Sequence, residues 1–315
     1  MRTTISTILV CVLFLAGNEG IRHAHNRLTA VLLPETYTES SRLHFSDPCR
    51  IALLGDSIIL TGLDPSLIPE SYNFAWLDAQ YLANYFVLEW MLRSDPKNLE
   101  VIVLPFDRHS FSPRRNESPT MLKKATFVQA FMADHRDEQR GAYLRRWTQD
   151  RLFPYSDFPS LLASRSDENQ PVLRRGFLGM SGGNIKSPED FQRSAERRGR
   201  QLFRDEAWYD ERLGWYFESI IQRATDSGLK VVLVQCPVSH EFDEELRRHV
   251  SDETFDEFKA DVRAKFPEIE ILNARDAFLD RHDLFFDANH LSIAGSKEFS
   301  ELVRNELERL GVLSP

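Results

Sequence analysis

Three short segments of nearly continuous hydrophobicity constrain this chain most: Arg50-Ile51-Ala52-Leu53-Leu54, Val101-Ile102-Val103-Leu104 and Lys230-Val231-Val232-Leu233-Val234-Gln235. Each is far too short to span a bilayer. None shows the alternation of a strand with one wet face, so each reads as a strand covered on both sides, as in a parallel sheet. Turn chemistry closes all three, with Gly55, Pro105 and Cys236-Pro237 respectively. Tyr72-Asn73-Phe74-Ala75 reads as a second, shorter strand, and Glu268–Leu272 as a weaker fifth.

Helical stripes lie between these runs. Residues 79–93 place Leu82, Tyr85, Phe86, Leu88, Met91 and Leu92 close to one helical face. A second stripe runs from Trp208 through Leu213, Phe217 and Ile221 to Ala224, with Gly228 positioned as a C-cap. Phe255, Phe258, Val262 and Phe266 form a third before Pro267, and Phe299, Val303 and Leu307 belong to a terminal one before Gly311. Strand–helix alternation over this length predicts a three-layer α/β fold, a flavodoxin-like parallel sheet of about five strands. Residues 106–205 break the rhythm and read as a long insertion or cap between the third and fourth strands. Its basic passages, Arg145-Arg146, Arg174-Arg175 and Arg193–Arg200, read as solvated surface or, as the alternative, as contacts for an anionic partner.

Composition narrows the function. With 39 basic against 48 acidic residues the formal charge is −9, which argues against a nucleic-acid partner. Of the three cysteines, Cys11 lies in the leading apolar segment, leaving at most one Cys49–Cys236 bridge in the body. No cysteine–histidine cluster suggests a metal site, and no cofactor is expected. Arg2 followed by the apolar run Ile5–Ala16 has the layout of an export signal, so residues 1–20 are expected to be a signal peptide or a short membrane anchor. The same run would also suit a buried N-terminal element. Residues 21–315 are expected to form one domain, exported to the periplasm or cell envelope.

Two segments carry chemistry. In Leu54-Gly55-Asp56-Ser57 a serine directly follows the first buried strand, at the sheet edge where open α/β folds place their ligands. Taken alone, Asp56 or Ser57 would serve equally as a helix N-cap. In Phe286-Asp287-Ala288-Asn289-His290-Leu291-Ser292 an aspartate precedes a histidine by three residues. A serine hydroxyl needs a base, and the base needs an acidic orienter to hold its tautomer. Ser57, His290 and Asp287 supply nucleophile, base and orienter, provided the fold brings an early loop and a late loop together.

These two segments resemble the first and last blocks of the SGNH/GDSL hydrolase superfamily. Gly62-Leu63-Asp64-Pro65-Ser66-Leu67, Tyr72-Asn73-Phe74-Ala75 and the ending Phe286-Asp287 through Gly295 are similar, more specifically, to exported relatives associated with polysaccharide or cell-wall O-acylation. The resemblance covers residues 50–108 and 228–310. It implies a serine esterase or O-acyltransferase acting through an acyl-serine on an acylated, O-acetylated glycan or small acyl ester, with room for a membrane-bound acyl-donor protein as partner. The chain departs from the family at its oxyanion donors: Trp76-Leu77-Asp78-Ala79 has no glycine, and Pro105-Phe106-Asp107-Arg108-His109 has no Gly-x-Asn-Asp. Those departures motivate an alternative, an exported glycan-binding or assembly protein that kept the fold without the chemistry. A metal-dependent phosphoesterase using Asp56, Asp107 and Asp287 is a third reading. Asp78, Asp107 and His109 read either as pocket lining or, more simply, as loop hydrogen-bonding groups.

Overall fold

The computed structural model describes residues 49–76, 79–93, 98–113, 172–180, 187–203 and 207–313, all in one compact unit. The leader, Asp78, Arg145-Arg146 and Trp147 lie outside the described residues.

Five parallel strands form the sheet: β1 (Ile51–Leu53), β2 (Ser71–Asn73), β3 (Val101–Pro105), β6 (Lys230–Gln235) and β7 (Glu270–Asn273), in the order β2-β1-β3-β6-β7. That is the flavodoxin order. Two further strands, β4 (Val172–Arg174) and β5 (Phe177–Gly179), make a separate antiparallel hairpin within the insertion. β1, β3 and the Val231–Gln235 part of β6 are buried throughout, as their unbroken apolar runs require. β7 begins two residues later than the hydrophobic pattern suggests, because Pro267 and Glu268 are spent in the turn that follows the preceding helix.

The helices are α1 (Ser57–Gly62), α2 (Tyr81–Arg93), α3 (Pro188–Leu202), α4 (Glu211–Asp226), α5 (His240–His249), α6 (Asp252–Lys265) and α7 (Ile293–Arg309). Strand order reverses direction at β1, so right-handed crossovers put α1 on one face and α2 and α4 on the other. Accordingly α2 packs on α4, while α1 packs on the terminal helix α7. Under α2 and α4 sits an aromatic core: Phe106 stacks on Phe217 at 5.2 Å, and Phe111 meets both edge-on. Tyr81 is buried here too, its hydroxyl donating to the Pro105 carbonyl at 2.8 Å.

Caps set the helix limits. Asp210 accepts from the Arg212 and Leu213 N–H groups and starts α4, leaving Trp208 outside the helix its periodicity suggested. At the other end Gly228, at φ +78°, lets Leu229 and Gly228 donate back to Ala224 and Thr225. α5 carried little apolar periodicity in the sequence, yet Ser239 caps it and Phe242 and Leu246 anchor it. Cys49 and Cys236 are both buried free thiols, so the bridge that the cysteine count allowed is not made. No helix among the described residues is long and apolar enough to cross a membrane.

Candidate active site

Leu53 ends β1 inside the sheet, and the chain must turn sharply to begin α1 at Ser57. Gly55 makes that turn at φ +151°, and a Cβ there would fall 2.6 Å from Ile59 Cγ1 and 3.1 Å from Pro105 Cδ. The Gly55 N–H donates to Asn84 Oδ1 at 2.9 Å, and its carbonyl accepts the Trp76 N–H at 3.2 Å. Asp56 is extended and uses Oδ1 to cap Ile58 N–H at 2.9 Å. Its capping role is therefore real, and it leaves Ser57 as the first helical residue.

The other end of α1 is fixed by the asparagine of Tyr72-Asn73-Phe74-Ala75. Asn73 Nδ2 donates to the Ile59 and Leu63 carbonyls at 2.9 Å each, and Oδ1 accepts the Ala75 N–H. Asp64, in the adjacent Gly-Leu-Asp-Pro-Ser stretch, accepts the Ser66 N–H, and its own N–H donates to Ser300 Oγ on α7. These motif residues brace the serine's helix.

The aspartate–histidine loop is folded as tightly. A bridge between Phe285 and Leu291 closes its base, and Phe286 N–H donates to the His290 carbonyl at 2.8 Å. Asp287 Oδ1 accepts the Asn289 and His290 N–H groups at 3.0 and 2.9 Å. The same carboxylate meets His290 Nδ1 at 2.9 to 3.0 Å, and His290 Nε2 lies 2.9 Å from Ser57 Oγ, 233 residues away in sequence. Burial pushes the Asp287 carboxyl up, but its bonds to His290 and to the two loop N–H groups outweigh that and hold it below the ordinary carboxylate value. An ionised Asp287 fixes the proton on Nδ1, which leaves the Nε2 lone pair facing the serine hydroxyl. Ser57 is 5% exposed, and the His290 side chain 18%.

The remaining sequence candidates separate into roles. Asp107 Oδ1 accepts the Cys236 N–H at 2.9 Å and ties the exits of β3 and β6 together. His109 is fully buried, with Nε2 3.8 Å from Asp56 Oδ2 behind the serine. In sequence His109 reads as pocket lining or as a loop hydrogen-bonding group, and its side chain faces the capping aspartate. Among the described residues no three His, Cys, Asp or Glu side chains form a group that could hold a metal ion, so Asp56, Asp107 and Asp287 do not converge as ligands.

No protein-family model matches the chain, and no curated protein matches it. Solved structures do. A "putative acylhydrolase" from Bacteroides fragilis is 9% identical, covering 87% of this chain and 95% of its own, with a TM-score of 0.44. A GDSL-like lipase from Bacteroides thetaiotaomicron is 11% identical over the same shares, with a TM-score of 0.43. Likenesses this distant do not bear on chemistry, which rests on the geometry above.

Proposed function

We propose that this chain is a serine ester hydrolase or O-acyltransferase of the SGNH/GDSL kind, with Ser57 as nucleophile, His290 as base and Asp287 as its orienter. The unbroken hydrogen-bonded chain from Asp287 through His290 to Ser57 Oγ carries this reading. His290 Nε2 takes the hydroxyl proton as Ser57 Oγ attacks the acyl carbonyl carbon. The tetrahedral oxyanion collapses, the ester C–O bond breaks, and the leaving alkoxide takes the proton back from Nε2. Ser57 then carries the acyl group. A water or a sugar hydroxyl gives its proton to His290 and attacks the acyl-serine, releasing acid or acylated product and restoring the hydroxyl.

Ser57 lies in the first turn of α1, where no carbonyl of its own helix reaches its N–H, so this group is a donor for the oxyanion. The Trp76 N–H is committed to Gly55, and the turn after β3 offers Asp107, Arg108 and His109 in place of an asparagine.

For substrate, the sequence resemblance supports an acylated, O-acetylated glycan of the cell envelope, reached by an exported protein with a membrane-bound acyl-donor protein as partner. A non-catalytic glycan binder would not need the three side chains within hydrogen-bond reach, and their 2.9 Å spacings favour the enzyme.

The test is labelling with a neutral fluorophosphonate, read by intact mass and peptide mapping. One phosphonyl adduct on Ser57 is expected, none on Ser57→Ala, and a rate lower by about 10³-fold or more in His290→Ala. An unmodified Ser57 under conditions that label a known serine hydrolase would overturn the proposal.

A further inference from the structure

Asp56, Gln80, Tyr81, Asn84 and Ser110 border a small cavity that leaves about 10 Å³ for the centre of a water-sized sphere. Its walls come from three segments: the turn that starts α1, the first turns of α2 with the residue before it, and the turn after β3. All five side chains belong to buried residues, none more than 6% exposed.

Most polar groups around this space are engaged. The Tyr81 hydroxyl donates to the Pro105 carbonyl, Asn84 Oδ1 accepts the Gly55 N–H, and Asn84 Nδ2 donates to the Gln80 carbonyl at 3.0 Å. Asp56 Oδ1 caps Ile58. Two groups differ. Gln80 Nε2 and Ser110 Oγ are shut off from solvent and have no hydrogen-bond partner among the described residues. A buried amide or hydroxyl left unsatisfied is costly, and native interiors rarely keep one. Here both belong to residues that border the same space.

Charge selects the occupant. An anion would suit the amide and the hydroxyl but not the Asp56 carboxylate. A cation would suit the carboxylate but meet the Gln80 N–H groups. Water both donates and accepts, so one molecule can accept from Gln80, bond with the Ser110 hydroxyl and donate to Asp56, whose carboxylate has acceptor sites beyond the one that caps Ile58. The space suits one water, and about three partners is the ordinary complement of a buried one. It does not suit an ester carbonyl, and Ser57 does not border it.

We propose that this cavity is the binding site of a single internal water, held by Gln80, Ser110 and Asp56. The water ties the start of α2 and the turn after β3 to the residue that caps the helix of Ser57. The inference does not depend on Ser57 acting as a nucleophile.

The test is a crystal structure of the unaltered protein at a resolution that orders internal waters, joined to urea unfolding of two variants. One well-ordered water is expected within about 3.2 Å of Gln80 Nε2 and Ser110 Oγ. Gln80→Met and Ser110→Ala each take one partner from it, so each should lower the urea midpoint by about 0.3 M or more. Because they share the water, the double variant should lose less than the sum of the two. Were the two atoms simply orphans, Gln80→Met would remove a penalty and the midpoint would hold or rise. No density at the site, a Gln80→Met midpoint at or above that of the parent, or strictly additive losses overturns the proposal. The structure of the unaltered protein decides even if a variant fails to fold.

Discussion

Replacing Asn73 by alanine should damage the protein out of proportion to the atoms removed. The side chain is 2% exposed and satisfies three main-chain groups at once, the carbonyls of Ile59 and Leu63 and the N–H of Ala75. Alanine leaves all three without their partner. At roughly 1 to 1.5 kcal/mol for each orphaned group, the loss is about 3 to 5 kcal/mol. For a slope of about 3 kcal/mol per molar urea, the midpoint of the main transition falls by about 1 to 1.5 M. Asn73→Asp keeps the shape and the acceptor for Ala75, but turns an oxygen toward two carbonyls that expect a donor. Its ionised form is disfavoured in the folded protein, so its folded pKa is raised and stability is lost as pH rises. Asn73→Asp should therefore be closer to wild type under mildly acidic conditions than near neutrality. Urea unfolding followed by circular dichroism at both pH values measures this. A midpoint shift below about 0.3 M for Asn73→Ala, or an Asn73→Asp deficit that does not change with pH, would refute the reasoning.

Other outcomes follow from the same structure. Burial pushes the Cys49 thiol up to about 11, and burial together with the nearby Asp107 and Asp56 carboxylates raises Cys236 well above its ordinary value. Iodoacetamide at mildly alkaline pH should spare both in the native protein and modify both in denaturant; peptide mapping that finds either alkylated without unfolding would contradict this. Asp287 is held below its ordinary value, so the stability its charge contributes is present above the unfolded carboxylate pKa of about 3.9 and is lost as pH falls through the lower folded value. The gap in urea midpoint between wild type and Asp287→Asn should accordingly be widest near neutrality and close in acid. A gap that stays constant down to strongly acidic pH would show that the carboxylate's charge contributes nothing.

The sheet was legible because burial on both faces writes itself into sequence as unbroken apolar runs, and Ile51–Leu54, Val101–Leu104 and Val231–Val234 leave little else to fold into. β2 was legible only roughly: its buried residues are Ser71 and Asn73, polar side chains whose value lies in hydrogen bonds that periodicity does not register. α5 was missed for the opposite reason. Its interior turn is dominated by Glu241, Asp243 and Glu245, which are buried through ion pairs with Arg247, Arg248, Arg275 and His282 rather than through apolar contact. Ser57, Asp287 and His290 could be named from local spacing and role, but their convergence depends on strand order, which no single segment contains.

Because α7 clamps α1 through the Ser300–Asp64 bond and Phe299 sits 3.3 Å from where a Cβ on Gly62 would be, the helix that Ser57 begins is completed by residues made long after it. A nascent chain would therefore stay chemically inert through most of its synthesis. If Ser57 acts as proposed, its reactivity would switch on only with the final fold of the polypeptide.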